Sequence, residues 1–223
     1  MPTGRIIILN YKRPENVLRI VKAFEGYYPI TIINNNPCES IRLPGIDLKS
    51  GKNYKTIEIL NNKTNLRCMD RWVKCYQYPE DIKLVLDDDI LPSKNLVDKM
   101  IDCDKPIVGI YGKSNVNEST NYHELSDHWC VIAKVDFLVG SVILIKQNAL
   151  DIIKNDLLNV GYPKRGDDII VSYLIRKHMN MSYLTTIGGE VLLLPEGDVG
   201  LNKDPEHFSM RWNVVKKFKN LTW

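Results

Sequence analysis

Three short runs of β-branched and apolar residues each stop at a polar cluster. Arg5–Leu9 (RIIIL) runs into Asn10-Tyr11-Lys12-Arg13, Ile30–Ile33 (ITII) into Asn34-Asn35-Asn36, and Ile82–Leu86 (IKLVL) into Asp87-Asp88-Asp89. Continuous apolar runs of this length read as strands buried on both faces, which is how a helix-covered parallel sheet is written in sequence. Between the first two runs, Pro14 stands at a first helical position, and Val17, Leu18, Val21 and Phe24 follow at helical spacing up to Gly26. The chain therefore opens β-α-β, with the second strand parallel to the first. Ligands of such sheets bind outside the carboxyl ends of the strands. The three polar clusters are predicted to meet there.

The remaining pattern extends an α/β fold. Residues 37–55, with Pro44, Gly45 and Gly51, read as a loop, and Thr56–Leu60 as a third strand. Asn65–Gln77 carries Leu66, Met69, Val73 and Tyr76 on one helical face. Ser93 can cap a helix through Met100, and Ile107–Tyr111 reads as a further strand. Gly112–Asp127 is polar and reads as a long loop. Trp129–Val135 and Gly140–Ile145 read as strands, Asn148–Leu158 and Gly166–Met179 as helices, Val191–Leu194 as a last strand and Glu206–Lys219 as a closing helix. No linker interrupts the 223 residues, so one domain is expected over 1–223, mostly parallel through 111 and mixed from 112.

Composition narrows the partners. The 30 basic and 27 acidic residues leave a net charge of +3, too even to point to nucleic acid. No apolar run approaches the roughly 20 residues that span a bilayer, and Met1-Pro2-Thr3-Gly4-Arg5 leads straight into the first strand without a signal-peptide core. The five cysteines are widely spaced and lack a CxxC pair, which suits free thiols in a reducing compartment. A cytoplasmic location is expected.

Asp87-Asp88-Asp89 is the strongest chemical feature. Three adjacent carboxylates repel one another, and a divalent cation offsets that cost most simply. Mg²⁺ and Mn²⁺ take oxygen ligands, often one or two carboxylates completed by substrate phosphates. Strand alternation would send Asp87 and Asp89 to one side and Asp88 to the other. A solvated acidic turn before Pro92 is the plainer alternative. Other phosphate sites are missing their motifs: there is no GxxxxGK[ST], no GxGxxG after the first strand and no GxSxG elbow. His123 and His128 form no HExxH pattern.

Taken in order, these features resemble a GT-A glycosyltransferase, and most closely the exostosin-type α-N-acetylhexosaminyltransferase family. The resemblance is carried by Asn10–Arg13 after the first strand, the helical Arg71, Asp87–Asp89, the segment Phe137–Ile145 (FLVGSVILI), Gly166-Asp167-Asp168, and His207 with Arg211. The chain is also similar to the capsid-glycosylating enzymes of large algal (chlorella) viruses, which implies a virus-encoded protein acting in a host cytoplasm.

The resemblance implies a UDP-sugar donor, a carbohydrate acceptor and Mn²⁺ or Mg²⁺, with donor binding in residues 1–111 and acceptor binding in 112–223. It implies metal ligation by Asp89, with Asp87 and His207. Asn10, Tyr11, Arg13, Asn35, Asn65 and Arg71 would contact the nucleotide, Asn65 at an offset of one position. Asp87 and Asp88 would serve ribose, metal-bound water or the donor sugar, with Asp167 beside them. Asp168 would lie near the anomeric carbon and acceptor, and Arg211 would meet the β-phosphate. Plainer alternatives exist: Arg13 and Arg71 as surface ion-pair residues, Asp167 as a helix cap, and His207 with Arg211 as a solvated helix face. At Gly140-Ser141 the glycine would let backbone approach a ligand and the hydroxyl bond a sugar, or the pair marks a strand bend. Trp129, Tyr122 and Tyr111 could stack on a sugar or belong to the core.

The chemistry suits these residue types. Charge grows on the leaving diphosphate, where a cation and an Arg stabilise the transition state more than the ground state. An oxocarbenium-like sugar needs a nearby carboxylate. The exostosin-type family retains anomeric configuration, so retention is implied. The chain lacks that family's membrane anchor and shows no disulfide-like cysteine pattern, which points to a cytosolic enzyme or to one domain of a longer glycosylation protein. Two rivals remain open: a metal-dependent nucleotidyltransferase making nucleotide sugars, disfavoured by the glycine-free Asn10–Pro14 loop, and a non-catalytic nucleotide- or carbohydrate-binding module.

Overall fold

The computed structural model describes residues 3–43, 57–196 and 203–219. Its first half runs β1 (Gly4–Asn10), α1 (Pro14–Phe24), β2 (Ile30–Asn34), β3 (Ile57–Asn61), α2 (Met69–Cys75), β4 (Ile82–Asp87), β5 (Ile90–Pro92) and α3 (Lys94–Asp102). The second half runs β6 (Ile107–Gly109), β7 (Tyr111–Ser114), a 3-10 turn (Tyr122–Glu124), β8 (Ser126–Trp129), β9 (Ala133–Val135), β10 (Phe137–Leu138) and β11 (Val142–Lys146). It closes with α4 (Gln147–Val160), α5 (Asp167–His178), β12 (Leu184–Thr186), β13 (Val191–Leu193) and α6 (His207–Lys219).

The main sheet has the order β3-β2-β1-β4-β11-β6-β12-β9. Its first four strands are parallel, and β11 runs antiparallel to both β4 and β6. The mostly parallel sheet with a mixed second half is thus as the sequence predicts. Alternation along β1 builds two layers. Ile6 and Ile8 face Val17, Ile20, Val21 and Phe24 of α1 and Leu96, Val97 and Met100 of α3. Ile7 and Leu9 face the opposite layer, with Trp72 of α2, Leu150 and Ile153 of α4 and Ile170 of α5. Each buried isoleucine contributes about 1.5–3 kcal/mol, and a one-residue slip would exchange the layers, so the register is strongly specified.

Local signals place the helices. Pro14 opens α1, and the Ser93 hydroxyl accepts a hydrogen bond from the Leu96 amide at 3.2 Å to cap α3. Gly166, at φ +82°, turns the chain into α5, whose first turn carries Asp167 and Asp168 beside the positive end of the helix dipole.

Several boundaries differ from expectation. The helix expected over Asn65–Gln77 is only Met69–Cys75, because Arg67 takes φ +62° in a turn closed by the Asn65 side chain on the Arg67 amide. The expected loop Gly112–Asp127 is largely built: it holds most of β7, the 3-10 turn and the start of β8, with Val116, Tyr122 and Leu125 buried beneath. The expected strand Trp129–Val135 divides at Cys130, at φ +52°, so that β8 and β9 join different sheets. Ile107–Tyr111 likewise divides between β6 and β7, and the strand expected from Gly140 begins at Val142. Residues 44–56, within the expected loop and including Thr56 of the expected third strand, lie outside the described residues. Among the described residues no helix is long and apolar enough to cross a membrane.

Candidate active site

The tips of β1 and β4 open into a cavity of about 620 Å³ that extends across to β7, β8, α5 and α6. Asp87, Asp88 and Asp89 all line it. Strand geometry ends at Asp87, and Asp88-Asp89 form a turn, so the expected alternation does not hold. Asp88 and Asp89 instead share one partner: Arg13 Nη1 lies 2.5 Å from Asp88 Oδ1 and 3.1 Å from Asp89 Oδ2. The Tyr11 amide donates to Asp88 Oδ2 at 2.8 Å, which ties the end of β1 to the end of β4. Asp87 pairs with Arg71.

Arg71 reaches this site from α2 and is almost fully enclosed. Its Nε and Nη2 lie 3.0 and 2.8 Å from Asp167 Oδ2, which also accepts from Trp72 Nε1 at 2.7 Å. Asp167 therefore positions Arg71. It caps nothing through its side chain, since α5 lacks a side-chain cap.

Four carboxylates, Asp87, Asp88, Asp89 and Asp167, thus share two guanidinium groups. With all four ionised, two negative charges are left over. Burial pushes Asp88 up to about 6, against the pull of Arg13, and also raises Asp87 and Asp89 despite their arginines. A divalent cation matches both the deficit and the all-oxygen donor set. Asp87 and Asp89 keep 31% and 28% of their side chains exposed, whereas Asp88 keeps 5%. The residues fit a cation that takes one or two carboxylates and completes its shell from phosphate and water. His207 does not complete a preformed cage with Asp87 and Asp89: among the described residues no three His, Cys, Asp or Glu side chains cluster as a metal site. His207 lines the cavity from α6, and burial with Arg211 nearby lowers it to about 4.

A second ionic centre stands deeper. Arg211 Nη1 and Nη2 clasp the Asp168 carboxylate at 3.1 and 2.8 Å. The Gly140 amide donates to Asp168 Oδ2 at 2.7 Å, and the Ile169 amide to Oδ1 at 2.9 Å. Burial alone would raise Asp168, but the Arg211 charge and these donors hold it below the usual carboxylate range. Arg211 Nε donates to the Tyr122 hydroxyl at 2.8 Å. Asp168 and Arg211, assigned separate tasks in the sequence reading, are one buried pair.

Gly140 is where the two centres touch. A Cβ there would lie 2.3 Å from Arg71 Nη2 and 3.2 Å from the Asp168 Cβ. Arg71 cannot swing away without leaving Asp87 and Asp167. Gly140→Ala is therefore expected to cost about 1–3 kcal/mol, read as a lower urea midpoint at unchanged slope. An unchanged midpoint would mean that Arg71 yields freely. Ser141 also lines the cavity, and its hydroxyl is buried without a partner among the described residues.

The other expected nucleotide contacts divide. Tyr11, Arg13, Asn35 and Asn65 line the cavity. Asn10 does not: its side chain bonds Asn34 at 2.9 Å and accepts from the Arg13 amide at 3.2 Å, shaping the loop that carries Arg13. Asn35 is buried and already donates to the Arg67 carbonyl at 2.8 Å. Sequence reasoning missed Arg67, Lys113, Asp127, Arg165, Glu196 and Phe208, which also line the cavity. A period of two in Tyr111-Gly112-Lys113 and Asp127-His128-Trp129 is the signal that would have revealed some of them.

Fold and site together define the molecule as a GT-A α/β protein with an acidic, arginine-lined cleft at the strand tips. No family model and no curated protein matches the chain in sequence. Among solved structures it is similar to GalNAc-T7 with UDP, GalNAc and Mn²⁺, with a TM-score of 0.65 and 11% identity over 97% of this chain and 48% of that one. It is also similar to the mannosyltransferase PcManGT from Pyrobaculum calidifontis in complex with GDP-Man and Mn²⁺, with a TM-score of 0.53 and 12% identity over 88% of this chain and 58% of that one. The chain thus spans about half the length of the solved chains it matches, and the likeness is one of fold.

Proposed function

We propose that this chain is a metal-dependent glycosyltransferase that moves a hexose, N-acetylhexosamine or deoxyhexose from a UDP-sugar to a glycan hydroxyl with retention. The observation that carries the reading is the two-charge deficit of Asp87, Asp88, Asp89 and Asp167 against Arg13 and Arg71, at the mouth of a cavity that also holds the Asp168–Arg211 pair. Two structural neighbours in complex with a nucleotide or nucleotide sugar and Mn²⁺ support it.

Asp89 and Asp87 would hold the cation, which when bound supplies positive charge to the leaving diphosphate. Arg13 and Arg71 add fixed positive charge beside it. Asn35, Asn65 and Tyr11 edge the nucleoside end, and Gly140 and Ser141 face the donor sugar. During transfer the C1–oxygen bond to phosphate breaks with its electron pair left on the phosphate oxygen, and the acceptor oxygen bonds C1. Asp168 is held ionised and stabilises the cationic sugar electrostatically. Four donors on its two oxygens make it a weak base, which favours passing the acceptor proton to the leaving phosphate oxygen and so favours retention. The donor half is assigned to residues 1–111 and the acceptor half to 112–223 of one domain. A virus-encoded enzyme acting on a capsid glycan in the host cytoplasm is the setting that the sequence resemblance favours.

With a panel of UDP-sugars, Mn²⁺ is expected to produce UDP release that EDTA abolishes. Pyrophosphate release from UTP and a sugar 1-phosphate, with no UDP release from UDP-sugars, would instead assign a nucleotidyltransferase. UDP binding without turnover would assign a binding module, and metal-indifferent turnover would overturn the role of the triplet.

A further inference from the structure

The far wall of the cavity carries a four-residue plaque. In the antiparallel β7–β8 pair, Tyr111 lies opposite Trp129 and Lys113 opposite Asp127. Alternation puts all four on one face, and all four line the cavity. The other face is packed: a Cβ at Gly112 would meet Val135 at 2.7 Å. The Trp129 ring stands edge-on to Tyr111 with centroids 5.2 Å apart, yet Trp129 remains 39% exposed. Lys113 Nζ lies 2.6 Å from Asp127 Oδ1, which also accepts from the Tyr111 hydroxyl. The Asp127 side chain is 57% exposed all the same.

The plaque is joined to the reacting centre. Lys113 Nζ lies 4.8 Å from the centre of the Tyr122 ring, and Tyr122 accepts from Arg211, which clasps Asp168. A ligand on the plaque would sit across the cavity from the Asp87–Asp89 triplet and next to the Asp168 neighbourhood.

We infer that this plaque is the acceptor subsite and that it takes a neutral pyranoside. The inference rests on the proposed transferase reading for the word acceptor, but the sugar site stands on the plaque alone. An exposed, braced indole offers a flat apolar face to the C–H face of a pyranose. Asp127 offers a carboxylate oxygen to ring hydroxyls, and Lys113 offers a donor. The Lys113–Asp127 pair is neutral overall, so the plaque exerts no net pull on an anionic sugar. A stacked nucleotide is disfavoured for the same reason, because the neutral pair offers its phosphates no net attraction.

Saturation-transfer NMR on the full chain tests this directly, with the methyl glycosides of glucose, galactose, mannose and N-acetylglucosamine, and methyl glucuronide as the anionic probe. At least one neutral glycoside is expected to bind through its ring C–H protons. Trp129→Ala should weaken that binding roughly tenfold, as loss of a central aromatic anchor does, and Trp129→Phe should keep it within about threefold. Asp127→Asn should weaken it while leaving the Lys113 and Tyr111 contacts an oxygen to use. Binding unchanged in Trp129→Ala, preference for the glucuronide, or no neutral glycoside bound would each overturn the inference. Glycoside binding that survives a failure to release UDP would remove the transferase and keep the sugar site.

Discussion

Replacing Asp168 by asparagine is expected to lower stability by about 3–5 kcal/mol, the cost of leaving a buried charge without its partner. Arg211 keeps only 7% of its side chain exposed, and among the described residues its side-chain partner without Asp168 is the neutral Tyr122 hydroxyl. Chemical denaturation with linear extrapolation would read the loss as a lower midpoint. The double variant Asp168→Asn with Arg211→Met removes both charges and is expected to recover most of the stability, since a buried pair exchanged for packed apolar groups is often near neutral. Turnover should behave differently. Both variants lack the ionised carboxylate, so kcat for UDP-sugar consumption should fall about a hundredfold or more in each. Equal stability losses in the single and double variants would refute the account of the pair. Recovery of turnover along with stability would refute its chemical role.

That pair shows what could and could not be read from the sequence. Asp168 and Arg211 were legible only through the family resemblance, which Gly166-Asp167-Asp168 and His207 with Arg211 help to carry. Their contact was not, because they stand 43 residues apart and nothing local encodes a side-chain meeting across two helices. Arg71 and Asp167, 96 residues apart, were hidden in the same way. The strands β1, β2 and β4 were legible from apolar runs buried on both faces, and their polar ends foretold where the cavity would lie. The plaque of Tyr111, Lys113, Asp127 and Trp129 was obscured by the polar residues between its strands, which suggested a loop. Asparagine and serine there make turns that deliver two short strands into register, and that register is a tertiary fact. The turn at Asp88-Asp89 is similar: the strand ends at Asp87, two residues short of the expected alternation, and Arg13 gathers both carboxylates on one side.

Asp89→Ala separates the cation's role from a structural one. Asp89 is partly exposed, and Arg13 keeps Asp88 and the Glu196 carbonyl when Asp89 is removed. The stability change should therefore stay within about 1 kcal/mol, as for an exposed pair. Asp88 differs: it is buried, and it holds both the Tyr11 amide and Arg13, so Asp88→Ala should destabilise more than Asp89→Ala does. Calorimetry with UDP in Mn²⁺ and in EDTA then isolates the metal. In the parent chain Mn²⁺ should tighten UDP binding, and in Asp89→Ala that gain should vanish while the metal-free affinity stays close to the parent's or rises, because one carboxylate no longer opposes the diphosphate. Turnover should fall roughly 10²–10³-fold, the usual loss on removing one group that stabilises a developing anion. If Asp89→Ala keeps both its Mn²⁺-enhanced UDP binding and its turnover, the triplet holds no catalytic cation. The two excess charges would then have to be neutralised by protons, in keeping with the upward shifts of Asp87 and Asp88.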